Sequence, residues 1–261
     1  MPMRMRVGGM SVPQGPDIRP VPDERPLIVR APALTLAAAG ATLLAPAALP
    51  VPAAAAHPRD RPAARSEGGV AAADLLARLG ECQEISHGRY STDEGSPANV
   101  PVCGTQDAVF WKADMDIDCD GQPGARCNRG TDPQFASTTA YQQSDGRYLN
   151  AETLPYIVVP APSPIWNPEL DGVRGGSVAA VVYRDQVQYA VVGDTGPGDV
   201  IGEASYATAQ GLGLRPDPNG GGAPSDVTYI VFKNSRVDPI EDHPAAVAEG
   251  ERLARMFIAR K

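Results

Sequence analysis

Between Val187 and Ala207 the chain reads VQYAVVGDTGPGDVIGEASYA. Val187–Val192 predicts a strand, and Gly193, Gly196, Gly198 and Gly202 predict a glycine-hinged turn directly behind it. A short helix is expected to start near Glu203. A strand that must bend this sharply belongs to a β scaffold of short elements. The bend also sets Asp194 and Glu203 at the two ends of one turn, nine positions apart. Two carboxylates so placed can face each other across a groove.

The rest of the chain agrees with a β scaffold. Ala108–Asp120 alternates in a strand-like way. Ala113, Met115, Ile117 and Cys119 fall on one side, with Asp114, Asp116, Asp118 and Asp120 on the other. Tyr156–Val159 is a short strand between prolines. Val178–Tyr183 and Val187–Val192, separated by Arg184-Asp185-Gln186, predict a hairpin. Asp217–Asp226 (DPNGGGAPSD) predicts a loop and Val227–Phe232 a strand. Helical spacing appears over Val70–Leu79, with a stop at Gly80, and over Ala245–Ile258. The expected fold is mainly β (α+β): a compact barrel or sandwich with a few peripheral helices.

The first 56 residues read as an export segment. Arg25 and Arg30 precede an apolar run from Ala31 to Leu49, and Ala53–Ala56 offer small-residue cleavage sites. Pro32, Pro46 and Pro50 argue against a stable spanning helix there, and no other stretch is apolar for long enough to cross a membrane. The expected organisation is a leader over 1–56, a disordered lead-in over 57–69 and a single catalytic domain over 70–261. Without the leader, 18 basic residues face 28 acidic ones, a net charge of −10. That argues against nucleic acid as a partner and suits a cationic one; solubility alone is the alternative reason for such acidity. Four cysteines in an exported chain predict two disulfides. Three pairings are open, and Cys82–Cys103 with Cys119–Cys127 is favoured because each closes a local loop.

The acidic strand admits two readings. Asp116, Asp118, Asp120 and Gly121 match the opening D-x-D-x-D-G of a calcium loop, but Cys127 stands where its bidentate Glu should be. An acidic face that holds ammonium groups fits the alternation better. Trp111, Trp166, Tyr141 and Tyr148 are candidate stacking platforms for sugar rings. The three histidines are scattered, with no metal-ligand spacing. Asp-Thr-Gly at 194–196 is also the aspartic protease signature, but one copy would demand a homodimer. The glycine spacing fails a dinucleotide loop by one residue.

The blocks WKADMDIDCDG (111–121), SDGRYLNAETLPYIVVP (144–160), GDTGPGDVIGEASYA (193–207) and VTYIVF (227–232) together resemble the chitosanases of glycoside hydrolase family 75. The likeness covers roughly residues 80–235. It implies endo-hydrolysis of β-1,4-linked glucosamine polymers with inversion, without a cofactor, and Asp194 and Glu203 match the family's two essential carboxylates. The DTG-x-x-x-I-x-G core is also similar to the barrel domain of membrane-bound lytic transglycosylases, which implies a six-stranded double-psi-like barrel. On this reading Glu203 is the general acid and Asp194 the base, while Asp114, Asp116, Asp118, Asp120, Trp111, Thr195 and Tyr148 bind substrate. The expected protein is a secreted monomer that acts on chitosan and binds neither nucleic acid nor membrane. The alternative is a non-catalytic polysaccharide-binding barrel.

Overall fold

The computed structural model describes residues 67–260, so the predicted leader and most of the lead-in lie outside the described residues. Of the lead-in, Glu67 is tied down. Its carboxylate accepts from the Tyr189 N–H (3.0 Å) and meets His243 Nε2 at 2.7 Å.

Seven strands form one sheet: β1 (Cys103–Gly104), β2 (Ala108–Asp118), β3 (Tyr156–Pro160), β4 (Val178–Tyr183), β5 (Gln186–Gly196), β6 (Glu203–Ser205) and β7 (Ala223–Phe232). The order β2-β6-β3-β5-β4-β7 closes through a β2–β7 pairing into a six-stranded barrel, with β1 attached to β2. Two pairings are parallel, β2–β6 and β3–β5. Closure removes the open edges that a sheet of this size would otherwise expose. The helices are α1 (Ala72–Leu79), α2 (Tyr206–Gly211) and α3 (His243–Ala259). Among the described residues no helix is long and apolar enough to cross a membrane.

Strand alternation sorts side chains into two cores. Val109, Trp111, Ala113 and Met115 of β2 fill the barrel with Ile157, Val192, Ala204 and Tyr229. On the outside, Phe110, Tyr156, Val182 and Tyr189 pack with Leu75 of α1 and Phe257 of α3. Trp111 is 0% exposed and stacks on Tyr229 with ring centroids 5.3 Å apart. It is therefore core, and the sugar platform expected there is ruled out. Trp166 is buried too, its indole N–H donating to Asp171 (2.8 Å). Both disulfides join the favoured pairs, Cys82–Cys103 and Cys119–Cys127.

Three local expectations are corrected. β5 does not stop at Val192 but continues through Asp194 to Gly196, and Glu203 opens a strand rather than a helix. The helix begins at Tyr206, where Ser205 Oγ accepts from the Thr208 N–H. The predicted loop over 217–226 likewise gives up Ala223–Asp226 to the start of β7.

Candidate active site

The outer wall of β2, β6, β3 and β5 carries the acidic residues in register. Asp116 pairs with Glu203 across the parallel β2–β6 ladder. Ile157 pairs with Ala204, so the next antiparallel position sets Val158 beside Glu203, and Val158 pairs with Asp194. Paired residues point to the same face. Asp116, Glu203, Val158 and Asp194 therefore form one row across four adjacent strands. Glu203 and Asp194 are two strand spacings apart, about 9.4–9.8 Å between backbones.

Asp194 reaches this face only through a β-bulge. Ile157 pairs with Val192 but Val158 with Asp194, so Gly193 is the extra residue. In uninterrupted alternation Asp194 would follow Val192 by two and point into the barrel; the bulge turns it outward. Glycine is required there by close approach: a Cβ would lie 2.6 Å from Tyr156 Cβ and 2.7 Å from Leu149 Cδ1. Gly202, at φ 123°, performs a similar service before Glu203, and its carbonyl accepts from the Asp116 N–H (2.8 Å).

A pocket of about 330 Å³ opens on this row, lined by Asp118, Asp120, Asp132, Asp194, Thr195 and Glu203 among others. A second, of about 240 Å³, lies on the far side of Glu203 and takes in Asp116, Asn219 and Gly220. Both include Ile117, Asp132, Gln134 and Glu203, so together they make one groove with Glu203 at its middle. Among the described residues no aromatic side chain lines either half. A larger cleft of about 700 Å³ lies beside α1, but its one carboxylate, Asp226, is paired with Lys112 at 2.6 Å.

The electrostatics divide the carboxyls. Burial, reinforced by Asp116, Asp120 and Asp194, pushes Glu203 up to about 7. Asp194 is raised by burial as well, but its Oδ1 accepts from the Ala140 and Thr195 N–H groups, both at 2.7 Å, which favour its ionised form. Asp118, Asp120 and Asp194 each bring an oxygen within 4.8 Å of the others. Like charges this close cannot all ionise. Burial drives Asp118 well above the usual carboxylate range and Asp120 to about 6, despite the N–H donors from Asp120 and Ala136. With two backbone N–H donors on one oxygen, Asp194 has the stronger support for a negative charge in this cluster.

The sequence profile of "Fungal chitosanase of glycosyl hydrolase group 75" matches residues 115–255, which include the whole row. The chain belongs to this family. As a glycosyl hydrolase of group 75 it resembles "Endo-chitosanase" of Aspergillus fumigatus, 30% identical over 175 residues, 61% of this chain and 74% of that protein. "Endo-chitosanase B" of Aspergillus oryzae is 33% identical over 178 residues, with the same coverage. "Endo-chitosanase C" of Aspergillus oryzae is 32% identical over 161 residues, covering 58% of this chain and 40% of that protein.

For this group 75 enzyme the structure brings Asp194, Glu203, Asp116, Asp118, Asp120 and Thr195 to the groove. Asp114 is not among its lining residues; it is buried behind Gly202. Tyr148 lines neither half, and its carbonyl accepts from Gln122 Nε2. The calcium-loop opening is split: Asp118 and Asp120 group with Asp194, while Asp116 groups with Asp93 and Asp114. Sequence reasoning missed Asp132 and Gln134. Asp132 Oδ1 accepts from the Gln134 N–H (2.8 Å), an Asx turn that Thr-Asp-Pro-Gln could have signalled.

Proposed function

We propose that this glycosidase is a secreted, monomeric endo-chitosanase that hydrolyses β-1,4 links between glucosamine units with inversion and without a cofactor. The carrying observation is the Asp116–Glu203–Val158–Asp194 row on the groove floor. An inverting pair needs about 6.5–9.5 Å between carboxyls so that water fits behind the sugar. Two strand spacings between the backbones leave room for a gap of that order.

Glu203, protonated below about pH 7, donates its proton to the glycosidic oxygen as the bond to the anomeric carbon breaks. Asp194 takes a proton from the water whose oxygen attacks that carbon from the opposite face. The ammonium groups of the polymer meet Asp116 and Asp120 along a groove with no aromatic floor, so recognition rests on charge rather than stacking. The relatives' names support chitosan as substrate, and two disulfides support an oxidising compartment.

The test is Glu203→Gln, which keeps the shape and removes the proton donor. Reducing-sugar release from chitosan should drop by about 10²–10⁴-fold while polymer binding and melting temperature hold. A variant that retains most of its turnover would refute the acid assignment.

A further inference from the structure

A second carboxylate group lies one step along β2 from the catalytic row. Asp93, Asp114 and Asp116 each place an oxygen within 4.8 Å of the other two. Among the described residues no Lys, Arg or His forms an ion pair with any of the three. A second observation sets the group apart from an ordinary acidic surface. Asp114 is only 7% exposed, and its Oδ1 is buried without a hydrogen-bond partner. A carboxyl oxygen so placed lacks the compensation that buried charge requires.

We propose that Asp93, Asp114 and Asp116 form a binding site for a calcium ion. Calcium takes carboxylate oxygens at about 2.3–2.6 Å in irregular arrays, so oxygens across one ion stand about 4.6–5.2 Å apart at most, a span this group fits. A bare ion is favoured over the sugar's ammonium group by access. Asp116 borders the groove, but neither Asp93 nor Asp114 lines it, and Asp114 sits behind Gly202. Reaching the buried Asp114 oxygen demands less room for a bare ion than for an ammonium carried on a pyranose ring. Asp93 is already oriented, its Oδ2 accepting from Ser96 Oγ and Thr92 Oγ1, both at 3.1 Å.

The ion would join the loop that carries Asp93 to β2. That loop also holds the glycine turn between the two catalytic carboxylates: the Ser91 N–H donates to the Asp199 carbonyl, and the Ile201 N–H donates to the Ser91 carbonyl, each at 3.0 Å. Calcium at this site therefore clamps the 197–202 turn. This inference goes beyond the chitosanase reading and stands whichever sugar is cleaved.

The experiment titrates chelator-treated protein with CaCl2 and follows the melting temperature, with terbium luminescence as a direct binding signal. The melting temperature should rise by about 3–6 °C at tenfold excess over Kd. Asp93→Asn, at an exposed position where the amide oxygen keeps the loop bonds, should lose both the shift and the terbium signal. Asp120→Asn, in the other carboxylate group, should keep them. The proposal is overturned if the wild type shows no calcium shift, if the shift survives Asp93→Asn, or if Asp120→Asn abolishes it. Asp93-dependent stabilisation by glucosamine oligomers without any by calcium would also overturn it, by marking an ammonium subsite.

Discussion

Gly193→Ala tests the bulge that turns Asp194 toward Glu203. The added Cβ would lie 2.6 Å from Tyr156 Cβ and 2.7 Å from both Leu149 Cδ1 and Tyr156 Cγ. Ordinary contact begins at 3.4 Å, so β5 must move away from β3 by about 0.8 Å. Tyr156 and Leu149 are fully buried and cannot swing aside. Overpacking of this kind costs about 1–3 kcal/mol. In a body of this size that lowers the melting temperature by about 2–12 °C. The same shift moves Asp194 by most of an ångström, and misplacement on that scale costs about 10²-fold in rate. Thermal melts and initial rates on chitosan oligomers read the two effects separately, with the loss falling on kcat more than on KM. A Gly193→Ala protein with unchanged melting and unchanged turnover would refute the crowded bulge and the positioning argument built on it.

Other expectations follow from the same geometry. Burial raises Glu203 and Asp114 to about 7 and Asp120 to about 6 in the folded chain, so between about pH 4 and 7 the native state binds more protons than the unfolded one. Their contribution is fully present below the unfolded pKa values and fades as pH rises through the folded ones; denaturant melts without calcium should be more stable at pH 5 than at pH 8, and the opposite order would contradict the burial. Asp116→Asn should raise KM for fully deacetylated polymer more than for partly acetylated polymer, since it removes a groove charge while both Glu203 and Asp194 are kept; equal changes on both would argue that Asp116 is structural. Trp111→Ala should cost about 3–5 kcal/mol of stability through the lost core ring, while the folded fraction keeps its KM; a raised KM with unchanged melting would return Trp111 to the groove.

Much of the barrel was legible because its strands are either apolar throughout or cleanly alternating. β3, β4 and the apolar half of β7 carry Val, Ile and Tyr between Pro and Gly punctuation, and α3 shows helical spacing. The end of β5 was not legible. Gly193 and Asp194-Thr195-Gly196 have turn chemistry, and only the parallel ladder with β3 holds them extended, a tertiary preference that outweighs local propensity. Glu203 was misplaced for a related reason: β6 is three residues long, too short to show a period, and the cap at Ser205 shifts the helix start. Asp194 and Glu203 stood out in the sequence as carboxylates flanking a glycine turn, and the structure brings both to the groove. Trp111 was misjudged because period-two alternation tells which residues share a face but not which face looks into the barrel. Asp93 and Asp114 meet only through the closure of the 91–96 loop onto β2, which no spacing along the chain records.

Inversion requires a water-sized gap between Glu203 and Asp194. The anomeric configuration of the sugar released in the first moments of cleavage, followed by proton NMR on chitosan oligomers, reports that gap directly. Water attacking from the face opposite the leaving group yields the α-anomer first, and that is the predicted result. Initial release of the β-anomer would mean a covalent intermediate and a pair only about 5–5.5 Å apart, and would contradict the inverting assignment.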